Sequence, residues 1–153
     1  MKRTSNHRQR GVALVELALI TPLLLLLTFV TTEFGRAMYE YNLVVKSTRD
    51  AVRYLSVQTQ GTHITEARNL MVYGNIDGTG TPLARGLTLD NVPVDTCCTW
   101  QTAGANPLIT TVTVRISSYS FHSLFPSVMG LVFADANGNI VFSDITATMR
   151  APS

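Results

Sequence analysis

The sequence predicts an α+β fold: one long N-terminal helix packed on a small antiparallel β-sheet, with a short second helix. Three observations predict it. An uncharged, leucine-rich run continues directly into an amphipathic helical stripe, Ile64–Tyr73 has a shorter helical pattern, and the second half alternates apolar and polar residues between turn signals. The organisation read from this is a basic leader over 1–11, an apolar membrane-spanning helix over 12–32, an amphipathic extension over 33–57 and an α+β domain over 58–153.

Charge is uneven along the chain. Lys2, Arg3, Arg8 and Arg10 place four positive charges in the first ten residues, against eight basic and ten acidic residues in the rest. The overall basicity therefore belongs to the leader, and nucleic-acid binding loses its main support. Val12 to Thr32 is 21 residues with Glu16 as its only charge. At about 1.5 Å per residue it reaches roughly 30 Å, the thickness of a bilayer's hydrocarbon core. The basic leader before it and Glu33 after it orient the N-terminus to the cytoplasm and the domain outside. The run is longer than a secretory signal's apolar region, and Thr31-Thr32-Glu33-Phe34 is a poor cleavage site, so a retained single-pass anchor is expected.

Glu16 lies four residues past Val12, where a carboxylate near mid-bilayer costs on the order of 2.5–3.5 kcal/mol. Gly11 stands at the junction of leader and apolar run. The order Arg10-Gly11-Val12-Ala13-Leu14-Val15-Glu16 resembles the type IV prepilin signature. Continued through Leu17-Ala18-Leu19, Pro22-Leu23-Leu24-Leu25 and Glu33-Phe34-Gly35-Arg36, it resembles the TadE family, minor pseudopilins of the tight-adherence (Tad/Flp) type IVb pilus. The resemblance covers residues 10 to about 55. Leu17 after Glu16, where the system's major pilins carry Tyr, and Val12 as first mature residue favour the TadE branch.

The resemblance implies that a prepilin peptidase cuts between Gly11 and Val12. It also implies that Glu16 neutralises a neighbouring subunit's new α-amino group during assembly, and that the partners are other minor pseudopilins and the Tad assembly platform. A carboxylate buried in an apolar setting is tolerated when it meets a cation, which gives Glu16 a physical reason. The competing reading is an unprocessed, anchored binding module with its leader intact.

Beyond Gly35, a candidate hinge, Ala37, Tyr41, Val44, Val45, Thr48, Val52 and Leu55 form one helix face, expected to pack on the protein's own sheet. Arg36/Glu40 and Lys46/Asp50 are spaced for i, i+4 pairs, and Pro22 is expected to kink the helix. The second helix is expected from Ile64 to Tyr73, with Thr62 as N-cap and Gly74 as stop. A loop follows over 75–85. Strands are expected around Leu87 and Leu89, over Val112-Thr113-Val114-Arg115-Ile116, and from Ile140 to Met149. Leu124 to Phe133 reads as a short helix or a hairpin arm.

His7, His63 and His122 are not at metal-ligand spacing, and no nucleophile elbow, phosphate loop or paired-carboxylate motif occurs. The expectation is a non-enzymatic protein with no cofactor, metal, nucleic-acid or small-molecule partner. Asp135-Ala136-Asn137-Gly138-Asn139 faintly resembles the start of a calcium loop, and Asn137-Gly138 is a better hairpin turn. Adjacent Cys97 and Cys98 leave three readings open: a disulfide between them, a cross-link to another subunit, or two thiols beside Trp100.

Overall fold

The computed structural model describes residues 7–128 and 130–151. Lys2 and Arg3 of the leader, and Met129 of the apolar stretch, lie outside them.

Helix α1, His7–Ser56, has 50 residues and is about 75 Å long. It begins within the basic leader, earlier than Val12. It also passes through Pro22 and Gly35 without ending, so no hinge forms at Gly35. Its lower part is apolar enough to cross a membrane, with mean hydropathy 2.4, and none of that window is buried against the rest of the chain. Four threonines in this part hide their hydroxyls by donating to the carbonyl four residues back: Thr21 to Leu17 (2.7 Å), Thr28 to Leu24, Thr31 to Leu27 and Thr32 to Thr28 (each 2.8 Å). In an apolar surrounding that removes the penalty of an unmet donor.

The upper part of α1 forms the floor of the domain. Val44, Thr48, Ala51, Val52 and Leu55 are buried, with Tyr41 and Val45 packed beside them. The expected stripe thus faces the protein's own sheet and α2. Lys46 and Asp50 both point to solvent, and among the described residues they form no ion pair.

The main sheet is antiparallel, in the order β1-β2-β7, from β1 (Cys98–Ala103), β2 (Ile109–Ile116) and β7 (Ile145–Ala151). Val112, Val114 and Ile116 of the central strand are buried on α1, and the intervening Thr113 pairs outward with Thr148 of β7. The strand expected over Ile140–Met149 is two strands. β6 (Asn139–Val141) pairs with β3 (Ser120–His122), then Phe142–Asp144 breaks the run before β7. Phe142 turns in instead, its ring stacked on Tyr119 and tilted on Tyr41.

Helix α2, Ile64–Tyr73, buries Ala67, Met71 and Val72. Gly74 ends it with φ 74°, its N–H donating to the Leu70 carbonyl, and an added Cβ would meet Leu83 at 3.0 Å. Thr62 is not the N-cap. His63 holds that position at φ 58° without a side-chain bond, and the Thr62 hydroxyl donates to Thr59 instead. The strand expected at Leu87–Leu89 is not formed either. Thr88 and Asn91 close a capping box around a 3-10 turn, Leu89–Asn91, whose carbonyl side receives the Arg68 guanidinium at Leu89 and Val92. Local capping outcompetes a two-residue alternation here.

A four-residue helix α3, Val94–Cys97, leads into β1, and a disulfide joins Cys97 to Cys98 at that junction. The Leu124–Phe133 stretch is a hairpin arm, β4 (Ser127–Val128) paired with β5 (Leu131–Val132). The turn at Asn137-Gly138 forms, with Gly138 at φ 78°. It leads from this arm into β6 rather than joining two strands paired with each other.

Candidate functional site

Two places on α1 concentrate the features that the sequence singles out. The first is the start of the apolar run. Gly11, Val12 and Glu16 are all exposed on one continuous helix, and no part of the domain reaches them. Gly11 has no positive φ, and a Cβ added there would meet nothing within 4 Å. Glycine in a helix costs roughly 0.5–1 kcal/mol relative to alanine. Among the described residues neither backbone nor packing requires it at position 11.

The second place is where the apolar run ends; the sequence pairs Arg36 with Glu40 there, as the structure does, but gives no sign of the domain residues they meet. Glu33 follows Thr32 and is only 8% exposed. Its Oε1 accepts the Leu124 amide at 2.6 Å and its Oε2 accepts the Arg36 guanidinium at 2.9 Å. Arg36 lies 5.2 Å over the Phe121 ring and 3.9 Å from Glu40. Glu40 Oε2 accepts the hydroxyl of buried Tyr119 at 3.0 Å. Glu33, Arg36 and Glu40 are spaced i, i+3, i+7, one face of a helix. They receive the chain segment Tyr119–Leu124, so the domain is clasped to α1 immediately above the apolar run. The signal in the sequence was the charge order acid, base, acid on one face directly after the run; the partners, some 80–90 residues on, carried none.

Different bonds in this clasp carry different weight. The ion pairs to Arg36 are part-exposed and contribute about 0–1 kcal/mol. The amide bond to a buried carboxylate belongs to the stronger class, about 1.5–3 kcal/mol. Burial by itself would raise the Glu33 pKa, but the Ser123 hydroxyl, the Leu124 amide and Arg36 outweigh it and hold the carboxyl below its ordinary value. For Tyr119, burial first and Glu40 second push the phenol well above its ordinary value. Both groups therefore keep their charge states at neutral pH, and the clasp is a fixed attachment.

Below it, the Phe125 ring lies 4.9 Å from Phe29, inside the apolar run. A mostly apolar cavity of about 160 Å³ opens there between Phe29, Val30, Phe34, Ala37, Phe125 and Phe133.

Residues 11–53 match the family model described as TadE-like protein. No curated protein and no solved structure matches the chain. The TadE-like segment starts at Gly11 and ends within α1, so it contains both sites: the Gly11–Val12 junction with Glu16, and Glu33, Arg36 and Glu40. The match relates the chain to the Tad pilus system and to a membrane-anchor-like helix. The clasp's other half, Tyr119 to Leu124, lies outside the TadE-like segment. Within that segment Glu33 and Arg36 turn in to this chain's own domain, while Phe34 and Gly35 face out.

Of the other candidates, Cys97 and Cys98 are buried in the core cluster at the α3–β1 junction and are bonded to each other. Asp135 Oδ1 accepts the amides of Asn137 (2.9 Å) and Asn139 (2.7 Å), so it shapes the turn. Among the described residues no group of three or more His, Cys, Asp or Glu side chains could hold a metal ion. His63 touches Thr62 and the Tyr54 ring, and His122 touches Asn139.

Proposed function

We propose that this protein is a non-enzymatic minor pseudopilin taking part in assembly of a Tad/Flp-type pilus. It is cleaved by a prepilin peptidase between Gly11 and Val12, and is held in the cytoplasmic membrane by Val12–Thr32 with the domain outside. The observation that carries the reading is that the TadE-like match begins at Gly11, a glycine that nothing among the described residues requires. A glycine without an internal reason is accounted for by an external reader, and a peptidase that cuts there is such a reader. The apolar run supports the same reading, because none of its most apolar window is buried in the domain, and below Phe29, where the Phe125 ring packs, it is free for lipid or other helices. Glu16 is one helical turn above Val12, where it meets the α-amino group of a neighbouring subunit as the helices pack. The partners on this reading are other minor pseudopilins and the assembly platform.

The test is the intact mass and N-terminal sequence of the protein from its native membranes. A chain starting at Val12, and one retaining the leader when Gly11 is substituted, supports the assignment. An intact leader in cells with an active prepilin peptidase sinks it and leaves an unprocessed anchored binding module.

A further inference from the structure

From Ser117 to Ala134 the chain has no Asp, Glu, Lys or Arg. The hairpin arm within this stretch exposes large apolar side chains: Leu124 is 54% exposed, Leu131 51% and Val132 76%. Left in water, this is a costly surface for so small a domain. Two contacts fix its height along α1. The Leu124 amide is bonded to Glu33, one residue past the end of the apolar run. The Phe125 ring packs on Phe29, three residues before that end and so about 4.5 Å inside it.

The arm's backbone narrows the choice further. Its two strands, Ser127–Val128 and Leu131–Val132, pair only with each other, so among the described residues their outer N–H and C=O groups have no ladder partner. Such backbone cannot lie in the hydrocarbon centre, but the headgroup boundary supplies water and polar partners together with apolar surface. The exposed patch is also continuous with the uncovered apolar surface of α1 through Phe29 and Phe34, instead of standing apart higher on the domain.

We propose that the Leu124–Phe133 arm is a second membrane contact, resting in the headgroup–acyl boundary of the leaflet on the domain's side, with Leu131 and Val132 entering lipid. The proposal rests on the reading of Val12–Thr32 as a membrane span. The domain is then held to the bilayer at two points and has a fixed face toward it.

The experiment uses the full chain in phosphatidylethanolamine–phosphatidylglycerol vesicles with lipids brominated either near the headgroup or near the chain end. Trp100 is kept, and its own emission in the unsubstituted protein is subtracted. Tryptophan is placed at Val132, at Leu24 within the run and at Val57 beyond the top of α1, all of them exposed positions. V132W is expected to lose most of its emission to the headgroup-proximal quencher and little to aqueous acrylamide. L24W is expected to be quenched from the chain end, and V57W by acrylamide alone. V132W open to acrylamide and untouched by brominated lipid, with L24W still quenched, overturns the arm contact and leaves the anchor standing. V132W shielded from both quenchers places protein over the arm, a second copy or another subunit, and likewise overturns it. L24W untouched by brominated lipid removes the span, and the arm contact with it.

Discussion

The carboxylate of Glu33 accepts a hydrogen bond from the amide of Leu124 at 2.6 Å, across 91 residues of sequence. This bond joins the domain to α1 one residue past the end of the apolar run. Replacing Glu33 with alanine leaves the part-buried Leu124 amide and the buried Ser123 hydroxyl without their acceptor, at about 1–3 kcal/mol for the buried group and less for the amide, which water can reach. The expected result is faster hydrogen exchange at the Leu124 amide and a lower unfolding midpoint, with Glu33→Gln in between. Unchanged exchange at Leu124 would show that the clasp does not hold the segment.

The same pair sets a pH dependence. The folded pKa of Glu33 lies below its unfolded value, which is about 4.3. Its contribution is therefore fully present above that unfolded value and is lost as pH falls through the lower folded one. Stability measured from pH 7 down to pH 5 should change little on account of this group, then fall in more acid solution. Glu33→Gln should flatten that acid limb. An acid limb of equal slope in the variant would assign it to other carboxylates.

Tyr119→Phe removes one hydroxyl and leaves the stacked contact with Phe142, whose ring centroid is 5.8 Å away. The expected loss is about 1.5–3 kcal/mol, as for a hydrogen bond to a charged group. The partner Glu40 retains Arg36, which keeps the loss toward the lower end. A chemical denaturation series checks it, and a neutral outcome would mean that the hydroxyl finds water equally good.

Leu55 is wholly buried under the sheet and Val57, two residues on, is 70% exposed. Leu55→Ala should destabilise the domain by about 2–5 kcal/mol, whereas Val57→Ala should stay within about 0.5 kcal/mol. Equal midpoints for the two would contradict the packing of α1 on β2 and β7.

The Cys97–Cys98 bond has a sequence separation of one. A cross-link between neighbours closes almost no chain loop, so it removes little entropy from the unfolded state. Reduction, verified by mass, should shift stability by less than about 1 kcal/mol. A large shift would mean that the bond organises the α3–β1 junction by other means.

The parts of the fold that were legible in the sequence are those where burial and periodicity coincide. The stripe from Tyr41 to Leu55 and the alternation Val112, Val114, Ile116 each put one side chain in two or four into the core, and that repeat is visible without partners. β1 was missed because it is an edge strand, with Cys98 alone buried among its six residues, so it carries no alternation. The 3-10 turn at Leu89–Asn91 depends on Arg68, more than twenty residues earlier, and on the capping pair Thr88 and Asn91, while the two leucines suggested a strand. Thr62 failed as a cap because the chain reaches α2 through a left-handed His63. At the candidate sites, Gly11 and Glu16 stand out by being in the wrong surroundings. Glu33 and Arg36 stand out only as part of the TadE-like pattern and of the Arg36/Glu40 spacing, since nothing local tells that Tyr119 to Leu124 folds back over them.

Because α1 runs from the apolar segment into the domain core without a linker, the domain cannot swing independently of its anchor. Val44 to Leu55 stand 12 to 23 residues past Thr32, about 18–35 Å farther along the same rod. Single helices commonly tilt by about 20° to fit bilayers of different thickness. A tilt of that size would carry the top of the domain sideways by about 12 Å, roughly a helix diameter. Bilayer thickness would thereby become a lever on where the domain's outer face is presented.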